Sequence, residues 1–231
     1  MIHTGDDLVE RPGRVWVFAG GALLAAIAGY VNVVMLGFFA VPVSHMTGAV
    51  SRLSIDLAVQ DLVDLTLIAG IVAGFMLGAL VSGMVIGATT LRAGRRYGVV
   101  LMVQGVMLVL ATWMALENIA LAVPVAAFVC GLQNAMASSY RGLVLRTTHV
   151  TGVVTDIGVL IGQRLRQKQI RIWKLWLLLT LLVAFFSGGF SGALLFHAVG
   201  MMALALPASV CLLVGAVYVW IQHQHRHSAG L

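Results

Sequence analysis

Long apolar runs alternate along this chain with short polar punctuation. Six runs are long enough to cross a bilayer: 15–39, 65–90, 98–116, 119–140, 173–197 and 199–221. A helix rises about 1.5 Å per residue and the hydrocarbon core is about 30 Å thick, so about 20 apolar residues suffice. Two semi-apolar stretches, 46–60 and 150–163, predict shorter helices. The first carries Ser51, Arg52, Ser54, Asp56 and Gln60. It reaches only about 22 Å, too short and too polar for a span.

Composition agrees with that pattern. The 231 residues are 61% hydrophobic and 10% charged, with a mean hydropathy of +1.02, whereas a soluble domain carries about 25% charge. The expectation is a multi-pass protein of the bacterial cytoplasmic (inner) membrane, with the lipid bilayer as its main partner. Residues 1–14 hold Asp6, Asp7, Glu10, Arg11 and Arg14, and the first apolar run is too long for the core of a cleavable signal. Cys130 and Cys211 lie inside apolar runs and read as small buried residues rather than a disulfide.

Charge then sets direction. The net charge of +6 reflects topology, not nucleic-acid binding, because the basic residues flank the apolar runs. With six spans and both termini cytoplasmic, 13 of the 14 basic residues fall inside, Arg52 being the exception. If the two short helices also crossed, Arg92, Arg95, Arg96, Arg141 and Arg146 would lie outside. Trp16, Trp113, Trp173, Trp176 and Trp220 fall near span ends, as an interfacial belt requires.

Three ordered matches mark a duplication. Gly29-Tyr30-Val31-Asn32 matches Gly131-Leu132-Gln133-Asn134 at an offset of 102. Ser44-His45-Met46-Thr47-Gly48 matches Thr148-His149-Val150-Thr151-Gly152 at 104. Gly74-x-x-x-Gly78 aligns with Gly188-x-x-x-Gly192 at 114. Each half holds three spans, an odd number, so the second enters from the opposite side. The expected fold is all-α: six transmembrane helices as two inverted three-span repeats, each with a short broken or re-entrant helix. The divisions are a cytoplasmic tail 1–14, a first repeat 15–117, a second repeat 118–221 and a cytoplasmic tail 222–231.

Ala28-Gly29-Tyr30-Val31-Asn32, Val43-Ser44-His45-Met46-Thr47-Gly48, Gly131-Leu132-Gln133-Asn134-Ala135 and Thr148-His149-Val150-Thr151-Gly152 with Thr155-Asp156 resemble the YoaK-like family of bacterial multi-span membrane proteins, a domain of unknown function. The resemblance covers nearly the whole chain and brings no established substrate. The family usually has Asp at the position of Asn32 and Asn at that of Ala49.

The paired polar residues are the candidate site. Thr47 and Thr151 are expected as N-caps of the short helices, with Gly48 and Gly152 allowing close approach. A helix start in low dielectric favours an anion, and His45 or His149 beside it could hold that anion or carry a proton; the bland alternative is a capped start with His facing headgroups. Asn32, Gln133 and Asn134 either line a polar cavity or link helices. Arg52 and Asp156 occupy equivalent positions four residues after each Gly. One reading pairs them across the repeats as a gate; the other pairs Arg52 with Asp56, its i+4 neighbour.

His223, His225 and His227 read as a juxtamembrane tail rather than a metal site, and the basic loop 164–174 as lying on an anionic leaflet. No P-loop, zinc-ligand spacing or nucleophile–base motif occurs. The expectation is therefore no enzyme, no cofactor, no metal and no nucleic-acid partner. The leading function is a small secondary transporter or permease-like protein for a small polar solute of anionic character, compatible with proton coupling and with a homodimer. The alternatives are a channel and a non-transporting assembly or sensing factor.

Overall fold

The computed structural model describes residues 11–87, 95–138 and 147–228. Within them the chain forms eight α-helices and no strand: α1 (Arg11–Phe39), α2 (Met46–Val59), α3 (Leu62–Ile86), α4 (Arg95–Leu116), α5 (Ala122–Ser138), α6 (Val150–Leu165), α7 (Ile172–Val199) and α8 (Ala205–Ser228). A 3-10 turn, Gly200–Leu204, separates α7 from α8. Four stretches are long and apolar enough to cross a membrane: Val15–Phe39, Leu62–Ile86, Arg95–Leu116 and Ile172–Gln224, the last taking in α7 and most of α8. Helix α5 is apolar but has 17 residues, about 25 Å of rise. Large apolar side chains such as Met76, Met84, Phe186 and Leu213 face outward. So much exposed hydrocarbon belongs in lipid; the molecule is a helical membrane protein.

Apolar surface gives helices no reason to associate within lipid, so close backbone approach at small residues holds them together. Three extensive pairings do this: α1 with α7, α3 with α5, and α4 with α8. A Cβ at Gly29 (α1) would collide with the Phe185 carbonyl oxygen, and one at Gly188 (α7) with that of Ala26. Likewise a Cβ at Gly131 (α5) would collide with the Phe75 carbonyl oxygen, and one at Gly78 (α3) with that of Phe128. Both pairs run parallel. In contrast α4 and α8 run antiparallel: a Cβ at Gly105 would lie 2.9 Å from the Ala208 carbonyl oxygen, and one at Gly215 would lie 2.8 Å from that of Gly98.

These contacts correct the alignment of the third helices. Gly29 and Gly131 are equivalent at offset 102, and their partners Phe185 and Phe75 differ by 110. Gly188 therefore corresponds to Gly78, not Gly74. The same offset relates Gly105 to Gly215, with Leu212 and Met102 packed against them. The reason is periodicity: Gly70, Gly74 and Gly78 recur every four residues, close to one helical turn, so a slip by one turn preserves the pattern.

Candidate functional site

Each short helix begins where a span's asparagine holds the chain that precedes it. The Asn32 Oδ1 on α1 accepts from the Ser44 hydroxyl at 2.7 Å and from the Ser44 backbone N–H at 3.3 Å. The Asn134 Oδ1 on α5 accepts from the Thr148 backbone N–H and the Thr147 hydroxyl, each at 3.2 Å, while its Nδ2 donates to the Thr148 hydroxyl. The backbone N–H can only donate, so it fixes which end of each amide is oxygen. The asparagines thus clamp the residue just before each histidine.

The helix starts differ from expectation. The N-cap residues are His45 and His149, and neither side chain makes a capping hydrogen bond. Thr47 and Thr151 lie inside the first turn, so the proposed Thr caps are not formed. The conserved spacing within the motif has another cause. A Cβ at Gly48 would lie 2.9 Å from the His45 Nδ1, and one at Gly152 would collide with the His149 Nδ1. Glycine leaves room for the imidazole to fold over the helix start. One turn further on, the Ser51 hydroxyl donates to the Thr47 carbonyl and the Thr155 hydroxyl to the Thr151 carbonyl, at 2.9 and 2.8 Å.

Both starts open on one cavity of about 810 Å³. Its lining includes Asn32, Ser44, His45 and Thr47 from one half, and Asn134, Thr148, His149 and Thr151 from the other. Phe185 and Phe75 also face it, each on the helix that packs against the glycine three residues before an asparagine. These two phenylalanines sit in uniformly apolar runs, where nothing in the sequence marks them; the register of the glycine contacts identifies them.

Gly48, Gly152 and Gln133 do not line the cavity but support it. Gln133 is buried; its Nε2 donates to the Leu24 carbonyl at 2.7 Å and to the Thr147 hydroxyl at 3.0 Å, and its Oε1 accepts from the Gln104 Nε2 at 2.6 Å. This network joins α4, α5, α1 and the start of α6. Gln104 is fully buried, with its Oε1 unpartnered; it stood unnoticed in the sequence as the one amide of an apolar run.

The charged residues lie elsewhere. Arg52 bonds Asp56 at 3.0 Å and Asp64, on α3, at 2.6 Å. The inter-repeat pair with Asp156 is therefore not made; the i+4 neighbour and the adjacent helix satisfy the guanidinium first. The hydrogen bonds to Asp56 and then Asp64 push Arg52 above its ordinary pKa and keep it charged. Asp56 is buried, with its Oδ2 unpartnered. Arg52 and Asp64 line a separate cavity of about 460 Å³ beside Phe39–Pro42. Asp156 is exposed on α6. Among the described residues no group of His, Cys, Asp or Glu could hold a metal; the side chains of His225 and His227 lie outside the described ones.

No curated protein and no solved structure matches the chain. A family model described as protein of unknown function (DUF1275) matches residues 20–217, which include the starts of both short helices and the glycine contacts above, and the chain belongs to that family.

Proposed function

We propose that the protein is a small secondary transporter whose solute site is the shared cavity. The observation that carries this is the convergence of both His-x-Thr-Gly motifs, from segments about a hundred residues apart in sequence, on a single cavity of about 810 Å³. Such a volume suits a small ligand. A carrier must present equivalent contacts to each side in turn, and two matched half-sites supply them.

Helix directions support a six-span inverted topology; the basic residues flanking the apolar runs favour both termini on the cytoplasmic side, and the membrane proposed is a bacterial inner membrane. If α2 and α6 do not cross, α1 and α7 point one way, α3 and α5 the other, and α4 opposes α8. Those are the directions of the glycine contacts. If both short helices crossed, α4 and α8 would be parallel. On this reading residues 15–117 and 118–221 are the two repeats, and the chain is a carrier rather than an enzyme. Single cysteines at Gln60 and Lys168 should react with impermeant reagents from opposite sides; labelling from one side would refute the inverted arrangement.

The functional test is flux into proteoliposomes across a panel of small polar solutes. Wild-type protein should give saturable uptake, strongly slowed in His45→Ala/His149→Ala. Uptake that rises linearly with concentration would mean a channel. Uptake unaffected by the double variant would remove the cavity as the solute site.

A further inference from the structure

The hydrogen-bond inventory of the cavity is lopsided. Both asparagine oxygens are spent on the loops they clamp, Asn32 on Ser44 and Asn134 on Thr147 and Thr148. The donors are less used. The Asn32 Nδ2 donates to nothing among the described residues, and the first turns of α2 and α6 lack a capping side chain. The imidazoles of His45 and His149 each carry at least one N–H. No Asp, Glu, Lys or Arg is among the described lining residues. A cation would find no counter-charge there, whereas an acceptor-rich ligand of low charge would meet unspent donors at both ends. The rest of the wall is largely apolar, and Phe75 and Phe185 are contributed to it by matching positions of α3 and α7.

We propose that the cavity takes a short organic monoanion, a carboxylate with an apolar tail, held by its oxygens at one His–Thr helix start and by its tail against Phe75 and Phe185. This rests on the reading of the cavity as the solute site. Two matched ends in one largely apolar cavity let the same carboxylate be received from either side of the membrane, with the tail retaining its contacts with the phenylalanines. A dianion would find no cationic side chain for its second charge among the described lining residues, and a purely inorganic anion would make no use of the phenylalanines.

The test is calorimetric titration of the purified full chain in detergent with acetate, propionate and butyrate. Chloride, butyramide and butylammonium serve as controls. Affinity should rise about fourfold for each added methylene, the step expected from burying one CH₂, and butyramide and butylammonium should not bind. Phe75→Ala and Phe185→Ala should flatten the chain-length series while acetate still binds. Should those variants fail to fold, the wild-type series decides alone. Equal binding of chloride, acetate and butyrate would overturn the proposal, as would no binding by any carboxylate. Binding of butyramide or butylammonium that depends on His45 and His149 would overturn the anion and leave the solute site standing. Transport unchanged in the double histidine variant would instead overturn the site itself.

Discussion

Helices α2 and α6 start alike and continue differently. Each begins at an uncapped histidine, clamped by an asparagine and relieved by a glycine. Beyond that first turn, α2 buries Ala49 and Asp56 and is bolted to α3 through Arg52 and Asp64. Helix α6 buries no residue at all. At offsets of 104 and 110, the counterparts of Arg52 and Asp64 are Asp156 and Lys174, the same two charges exchanged. The second half is secured instead by neutral amides. Its Thr147 and Gln133 correspond to Val43 and Val31 in the first half, and Gln104, which Gln133 reaches on α4 of the first half, corresponds to Val214 in the second. Identity between the halves is thus found at the cavity lining and at the glycine contacts between helices, while the means of holding each helix start has diverged. On the proposed reading, a site built from matched residues therefore sits on an unmatched frame.

The largest effects should fall on what the halves share. Alanine at Gly29, Gly78, Gly131 or Gly188 places a Cβ against a backbone carbonyl that cannot swing aside. Overpacking of this kind should cost about 3 kcal/mol or more. Unfolding in mixed micelles should show losses of similar size at matched positions, Gly29 with Gly131 and Gly78 with Gly188. Gly74→Ala should also be costly, since its Cβ would meet the Pro124 carbonyl oxygen; a mild Gly78→Ala beside a severe Gly188→Ala would undo the correspondence that the contacts give.

These positions also show what was legible in the sequence. The His-x-Thr-Gly pair and the asparagines could be read because identical polar residues stand out against apolar surroundings. The location of the short helices could be read from the same punctuation. The register of α3 against α5 could not, since glycines spaced by four fit equally well one turn along. Phe75 and Phe185 were hidden because phenylalanine in a span is chemically unremarkable until its partner helix is placed. Of the two readings open for Arg52, the i+4 pair with Asp56 is the one made, joined by Asp64, which the sequence did not single out; equivalence of sequence position does not bring Arg52 to Asp156 when Asp56 and Asp64 are nearer along the chain.

The asparagine clamps should come next and should differ. Asn134→Ala orphans the Thr148 backbone N–H and removes two hydroxyl partners, whereas Asn32→Ala affects only Ser44. Losing a buried partner costs about 1–3 kcal/mol, so Asn134→Ala belongs near the top of that range and Asn32→Ala near the bottom. Equal losses in thermal unfolding would mean that the second half's additional bonds carry no weight.

The amide network offers a test of sign. Gln133→Leu strands the Gln104 Nε2 in a fully buried position where its Oε1 already lacks a partner. Replacing both, as Gln104→Leu/Gln133→Leu, removes the stranded groups together. Apolar replacement of both partners is cheaper than removal of one, so the double variant should be more stable than Gln133→Leu by about 1 kcal/mol. A double variant less stable than the single would show that the network holds α6 by more than local satisfaction.

The smallest effects, and the most informative about the asymmetry, concern the bodies of the short helices. Arg52→Ala cuts the tie between α2 and α3 while leaving the His45 start and its Asn32 clamp intact. Arg52 is more than half exposed, at 57%, so global stability should change little. Hydrogen exchange is the sensitive measurement, because local opening precedes global unfolding. Exchange along α2 should be slower than along α6 in the wild type, and Arg52→Ala should bring α2 up toward the α6 rate. Asp156→Ala should leave α6 unchanged, since Asp156 makes no ion pair among the described residues. Equal protection of the two helices before any substitution would show that the bolt to α3 does not hold α2, and would leave the amide network and the additional Asn134 bonds as what distinguishes the two helix starts.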